Sequence, residues 1–148
     1  MNDLILSKLA ESSRLVRRAF DARAREIGVT RPQWQVLSAL RRHPGLNQGG
    51  LADLLDVEPI TVCRMVDRLQ EAGLVERRPD PADRRSWRLH LQPKADALVA
   101  QLRPLADALQ ADALDGVSQD ELDSLSALLD RVNANLARRA TTVEVAHG

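Results

Sequence analysis

Residues 51–91 read LADLLDVEPITVCRMVDRLQEAGLVERRPDPADRRSWRLHL, and the order of local signals in them decides the fold. Leu51, Ala52, Leu54 and Leu55 form the apolar face of a short helix over Gln48–Leu55, and Asn47 before it is a natural N-cap. Asp56-Val57-Glu58 makes a turn. Pro59 then suits the first position of a second helix, where its missing N–H removes no intrahelical bond. That helix runs to about Ala72, with Val62, Met65, Val66 and Leu69 as its buried stripe. Pro59, Ile60, Cys63, Arg64, Asp67 and Arg68 take the opposite stripe. Gly73 before apolar Leu74 is a Schellman-type stop. Val75–Arg78 and Ser86–Leu91 alternate as two antiparallel strands, joined by turn chemistry at Pro79-Asp80-Pro81-Ala82-Asp83 and an arginine-tipped loop. Helix, turn, helix, hairpin is the order of a winged helix-turn-helix. Such an arrangement suits double-stranded DNA, because a helix fits the major groove and a basic loop reaches the neighbouring minor groove.

Outward from this stretch the pattern is helical. Leu9, Ser12, Ser13, Val16, Phe20 and Ala24 recur at spacings of three and four within a helix from about Leu4 to Ile27. Gly28 ends it. Thr30 to Gln33 spells a T-x-x-Q capping box for a helix to about His43, with Trp34, Leu37 and Leu40 in phase, and Pro44-Gly45 breaks that helix. Beyond the hairpin, Pro93 opens a helix carrying Ala97, Leu98, Leu102, Leu105 and Leu109, with Pro104 inside it. Ser118 to Glu121 is a second capping box, ahead of a helix carrying Leu122, Leu125, Leu128, Leu129, Val132 and Leu136; fraying is expected from about Thr141. The fold class is therefore mainly α with a small β-wing. One unit spans residues 1–148: a winged helix-turn-helix over 30–92, with helical parts over 1–29 and 93–148.

The composition agrees. Hydrophobic residues make up 44% and aromatic residues 2%, so the core is built from Leu, Val and Ala. The formal net charge is zero, but its distribution is uneven. Residues 1–92 hold sixteen Lys/Arg against twelve Asp/Glu, and residues 93–148 hold five against nine. A basic front and an acidic back suit a DNA reader joined to a part that avoids DNA. Cys63 is the one cysteine, which excludes an internal disulfide and suits a reducing compartment. The first residues show no leader pattern and no apolar run approaches a membrane span, so a cytoplasmic protein with no membrane association is expected. His43, His90 and His147 do not fall at metal-ligand spacing with Cys63 or the carboxylates, so no metal and no cofactor are expected. No nucleophile–base grouping or glycine-rich phosphate loop is present, and an enzyme is not expected.

With these residues in place the chain resembles the MarR (SlyA-like) family of transcriptional regulators. The resemblance extends from about Leu9 to about Leu136. It is carried by Gln33-Trp34-x-Val36-Leu37, Pro44-Gly45-Leu46, Leu51-Ala52, Val57-Glu58-Pro59, Val66-Asp67-Arg68-Leu69, Gly73-Leu74-Val75-Glu76-Arg77 and Asp80-Pro81-x-Asp83-Arg84-Arg85. It implies a homodimer whose first and last helices interlace, so that two winged helices face one inverted-repeat operator. From spacing alone, the apolar stripes of the terminal helices close equally well on each other within one chain. The chain departs from the family pattern at Gln48-Gly49-Gly50, where an acidic capping partner is expected, and at Leu91-Gln92-Pro93-Lys94-Ala95, where a glycine is expected. The first departure predicts a looser first helix of the motif.

The expected DNA-contacting residues are Pro59, Ile60, Thr61, Arg64 and Arg68 on the recognition helix and Asp83, Arg84 and Arg85 on the wing. A guanidinium at Arg64 matches guanine O6 and N7, and Ile60 suits a thymine methyl. Thr61 reaches a phosphate or base edge. Arg68 either grips phosphate or pairs with Asp67 or Glu71. The resemblance implies that Arg84 or Arg85 enters a narrow minor groove while Asp83 pairs with an arginine and fixes the wing. Arg77, Arg78 and Arg88 are expected in backbone contacts or hairpin salt bridges. The resemblance also implies a repressor released by a small aromatic acid or lipophilic effector, for which Arg14, Arg17 and Trp34 are the candidates; as bland alternatives, the two arginines are solvated and the indole is core. Two other readings stand beside this one. One is a winged helix that binds protein partners, which predicts few arginines on the recognition helix and wing. The other is a redox-responsive regulator using Cys63 beside Arg64.

Overall fold

The computed structural model describes the backbone of residues 3–146 and the side chains of residues 4–140. Helices α1 (Asp3–Glu26), α2 (Arg31–Arg42), α3 (Gln48–Leu55) and α4 (Pro59–Glu71) precede strands β1 (Val75–Pro79) and β2 (Trp87–Leu91). Helices α5 (Pro93–Ala113) and α6 (Gln119–Ala146) follow. The chain divides into two compact units, residues 1–113 and 114–148.

In the first unit the element boundaries follow from capping chemistry. At the start of α2, the Thr30 amide donates to Gln33 Oε1 at 3.0 Å, and Thr30 Oγ1 accepts from the Gln33 amide at 3.5 Å. Helix α4 has Pro59 at its first position and takes no side-chain cap from Glu58. It ends in a Schellman pair: the Leu74 amide donates to Leu69 O at 2.9 Å and the Gly73 amide to Gln70 O at 3.0 Å. That geometry needs a left-handed residue, supplied by Gly73 at φ 72°, and it turns the chain from the recognition helix straight into β1. The strands pair antiparallel, with Val75 opposite Leu91 and Pro79 opposite Trp87. The first strand thus takes in Pro79, whereas Ser86 belongs to the turn.

The core draws on each element of this unit: Ala24 from α1, Leu37 and Leu40 from α2, Leu51 from α3, Val62 and Val66 from α4, Val75 and Leu89 from the ribbon, and Ala95 and Leu102 from α5. Leu54 is an exception to the expected packing, at 44% exposed, and Val16 of α1 is exposed as well. A two-turn helix buries one narrow face, here Leu51 and Ala52 with Leu55 beside them, and Leu54 falls outside it. Met65 is half-buried, not fully enclosed.

Helix α3 is capped by Asn47 alone, without an acidic partner. Asn47 Oδ1 accepts from the Gly50 amide at 2.6 Å. The preceding loop is tied to the ribbon: the Leu89 amide donates to Leu46 O at 2.9 Å, and Asn47 bridges Arg88. Gly50 is the more crowded of the two glycines. A Cβ on it would lie 2.7 Å from Leu46 Cδ1, whereas one on Gly49 meets Asn47 Oδ1 at an ordinary 3.6 Å.

Helices α1 and α2 are joined through Asp21. Its carboxylate accepts from the Trp34 indole N–H at 2.7 Å and pairs with Arg31, while Phe20 meets Trp34 edge-to-face with centroids 4.8 Å apart. Burial alone would raise the pKa of Asp21. The hydrogen bonds from Arg31 and Trp34, with the positive charges of Arg31 and Arg25, outweigh it and hold the carboxyl below its ordinary value of 3.8. Arg23 adds a salt bridge from α1 to Asp112 of α5.

The second unit is α6 and the turn before it. Ser118 and Glu121 form the expected capping box: the Ser118 amide donates to Glu121 Oε2 at 2.8 Å, and Ser118 Oγ accepts from the Glu121 amide at 3.2 Å. The helix continues past Thr141 to Ala146, beyond the point where fraying was expected, and Leu125, Leu128 and Leu136 along it are exposed. His147 lies outside the described residues. No described helix is long and apolar enough to cross a membrane.

Gly49→Ala raises stability by up to about 1 kcal/mol, the helix-propensity difference. Gly50→Ala gains less or loses, because Leu46 and the cap must give way. Urea midpoints of the two variants decide the order. A depressed Asp21 stabilises the fold above its unfolded value, and this contribution is lost as pH falls below about 3.8 through the folded value. Thermal melts should show the wild type losing stability over that acid range and Asp21→Asn losing less.

Candidate nucleic-acid interface

Helix α4 buries Val62, Val66 and Leu69, spaced four and three apart, so residues half a turn away face solvent. Ile60 is 60% exposed, and Pro59, Thr61, Arg64 and Arg68 are exposed with it. Among the described residues, neither Arg64 nor Arg68 has an ion-pair or side-chain hydrogen-bond partner. Arg68 does not take Asp67, because that carboxylate is engaged elsewhere. Cys63 does not belong to this exposed stripe. It sits on the flank of the helix, half-buried, beside the ribbon.

What engages Asp67 and Cys63 is Arg77 of β1. Its side chain is 16% exposed, and its guanidinium makes four hydrogen bonds and one ion pair. Nε reaches Gln48 Oε1 of α3 at 3.1 Å. Nη1 reaches Gln70 Oε1 at 3.0 Å and Asp67 Oδ1 at 2.7 Å. Nη2 reaches the Cys63 carbonyl at 3.1 Å and its Sγ at 3.8 Å. Four hydrogen bonds and one ion pair thus reach both helices of the motif from a residue anchored in the wing. The guanidinium fixes the wing against the recognition helix at one spacing. Strand alternation signals that Arg77 shares a face with buried Val75, yet nothing in the sequence shows that Gln48, Cys63, Asp67 and Gln70 converge on it.

The wing tip closes on itself. The Asp80 amide donates to Ser86 O at 3.2 Å and the Ser86 amide to Asp83 O at 3.1 Å. Asp80 Oδ1 accepts from the Ala82 amide at 2.9 Å, and Asp83 Oδ1 accepts from the Arg85 amide at 2.9 Å. The aspartate that pairs with an arginine side chain is Asp80, 3.4 Å from Arg88 Nε, and not Asp83 as expected. Asp83 is two residues from Arg85 and closes a local turn on its amide instead. The Ala82 amide, with help from Arg88, holds the Asp80 carboxyl below its usual range despite some burial. Arg84 and Arg85 are exposed and, among the described residues, their side chains have no partner. Arg78 pairs with Glu76 across 3.0 Å, so the hairpin salt bridges expected of Arg78 and Arg88 are present.

The residues named for a small effector are not drawn together in the same way. Arg14 is exposed and pairs with Glu11 at 3.8 Å, and Arg17 is exposed. Trp34 is part-buried against the core, with its N–H committed to Asp21.

A helix-turn-helix followed by an antiparallel ribbon that is tied to its second helix defines the winged helix-turn-helix class. A sequence profile of the MarR family matches residues 27–86. The crystal structure of the transcriptional regulator PA3341 is 35% identical, with a TM-score of 0.81, covering 90% of this chain and 98% of that one. The transcriptional regulator SlyA is 25% identical, with a TM-score of 0.75 over 90% of this chain and 94% of its own. Wild-type MarR from E. coli is 27% identical, with a TM-score of 0.71 over 86% and 95%. The chain belongs to the MarR family and has the fold of its transcriptional regulators.

Arg77→Lys keeps the charge but supplies three donors in place of a five-donor fork. It should lower stability by about 2 kcal/mol, the scale of lost hydrogen bonds to a charged group, read from urea unfolding. A variant as stable as the wild type would remove Arg77 from this positioning role.

Proposed function

We propose that this chain is a sequence-specific DNA-binding transcriptional regulator that works as a homodimer on an inverted-repeat duplex. The observation that carries the reading is the segregation of arginines. Arg77, Arg78 and Arg88 are spent on internal partners, while Arg64, Arg68, Arg84 and Arg85 are exposed on the recognition helix and wing and unpaired among the described residues. A cation left unpaired at the surface is available to a polyanion. In this reading Arg64 reads a base edge, Arg68 and Thr61 hold the backbone, Pro59 and Ile60 pack at the helix entry, and a wing arginine enters the minor groove, its loop shaped by Asp83.

The homodimer is supported by apolar surface. Leu4, Ile5, Leu6, Leu15 and Val16 of α1 are exposed, as are Leu125, Leu128 and Leu136 of α6. Apolar stripes of this length on terminal helices mark association surfaces, and a second copy supplies the matching pair. Residues 1–29 and 93–148 then form the dimerisation part of one functional unit, around the reader at 30–92. Binding represses transcription in this proposal, and a small aromatic acid or lipophilic effector relieves it. Arg14 and Arg17 are the cations for its carboxylate, and the ring of Trp34 is the wall.

A mobility shift with the duplex upstream of the chain's own gene, run at two salt concentrations, tests the reading. Arg64→Ala should weaken binding by about 1–3 kcal/mol and relax preference at one base position. Arg85→Ala should weaken binding chiefly on A·T-rich flanks and flatten the salt dependence. Unchanged affinity in both variants, or a monomer by sedimentation, is the result that removes the proposal.

A further inference from the structure

Trp87 is the second of the chain's two tryptophans, and its setting is the reverse of Trp34's. Trp34 is packed and has its N–H bonded to Asp21. Trp87 is 46% exposed at the first position of β2, and among the described residues its indole N–H has no partner. Period-two alternation puts it on the ribbon face of Leu89 and Leu91. Register places three cross-strand pairs along that face: Val75 with Leu91 in or beside the core, Arg77 with Leu89 at the clamp on α4, and Pro79 with Trp87 at the outer end. The same face that holds the recognition helix therefore continues outward into an apolar step with an open donor.

The charge around this step selects its partner. Arg84 and Arg85 lie just ahead of Trp87, exposed and, among the described residues, without side-chain partners. The two acids of the loop are engaged locally, Asp80 by the Ala82 amide and Arg88, and Asp83 by the Arg85 amide. What remains at the end of the ribbon is cationic and aromatic, with a free N–H. A protein surface of ordinary composition does not match that set. A nucleic-acid backbone does, since its phosphates accept hydrogen bonds and its deoxyribose rings offer apolar edges.

We propose that Trp87 is a further DNA-contacting residue, its indole N–H donating to a backbone phosphate and its ring packing on the adjoining sugar, beside the groove entered by the wing arginines. This rests on the DNA-binding reading above. The contact is uncharged, so it adds affinity without adding to counterion release.

The test uses the full chain as wild type, Trp87→Phe and Trp87→Ala, titrated with the duplex upstream of its gene at several salt concentrations and followed by anisotropy of labelled DNA and by tryptophan emission. The phenylalanine variant keeps a ring and loses the donor, so binding should weaken about fivefold; the alanine variant should weaken more, by about tenfold or beyond. The salt slope should match the wild type in both, whereas a wing that had merely lost its shape would also displace Arg84 and Arg85 and flatten it. DNA should change the wild-type emission and leave that of Trp87→Phe nearly unaltered. Wild-type affinity in both variants, or an emission change that survives in Trp87→Phe, overturns the proposal. So does an emission change on concentrating the protein without DNA that the wild type shows and Trp87→Phe lacks, which would mean that a second copy covers the ring. Failure of the wild type to bind any duplex at low salt is a separate result and removes the DNA-binding reading itself.

Discussion

The geometry of the reading face depends on one guanidinium. A two-stranded ribbon is marginal by itself, and a two-turn helix such as α3 is held mainly by what it packs against. Arg77 binds both to the recognition helix through an almost complete set of donor–acceptor pairs. The groups it satisfies, a backbone carbonyl, two amide oxygens and a carboxylate, would otherwise compete for water or for each other. Arginine is suited to this place because its planar fork sends donors in several fixed directions at once, while a lysine delivers a single flexible point charge. The partners are spread from position 48 to position 70, so the clamp joins segments that are distant in the chain. It gives the wing and the helix a fixed offset.

Around this clamp the remaining polar groups are arranged so that internal and external roles do not compete. Three acids near that face have internal partners: Asp67 pairs with Arg77, Asp80 with Arg88 and a backbone amide, and Asp83 with another amide. Carboxylates left free there would repel phosphate. Pairing these three offsets part of the repulsion and, at Asp80 and Asp83, shapes the loop at the same time. The zero net charge of the whole chain conceals this local sorting.

Much of the architecture was legible in the sequence because capping and periodicity are local. Thr30-x-x-Gln33, Asn47, Pro59 and Gly73 mark helix ends through hydrogen bonds made within a few residues, and the structure has each where the pattern puts it. The exposure of Arg64 and Arg68 follows from the same arithmetic, opposite Val62 and Val66. What could not be read depends on contacts between distant segments. Leu54 looks like core until α3 is seen to bury only one narrow face. Cys63 looks outward until Arg77 is seen to reach its carbonyl and sulfur. Asp83 and Asp80 are equally good partners for an arginine on paper, and only the pairing of β1 with β2 brings Arg88 to the latter. The effector residues were the least legible of all, since a pocket is a property of several packed elements. Here the indole of Trp34 is already engaged by Asp21.

The wing tip illustrates what local closure makes possible. Its bend is specified by hydrogen bonds among Asp80, Ala82, Asp83, Arg85 and Ser86, and by the single tether to Arg88 at the strand's edge. Nothing in that list draws on the hydrophobic interior. A lineage can therefore rewrite the outward side chains of this tip, or exchange the tip whole between relatives, while the scaffold beneath goes on folding unaltered. Recognition of new targets and maintenance of the protein are left free to evolve at separate rates.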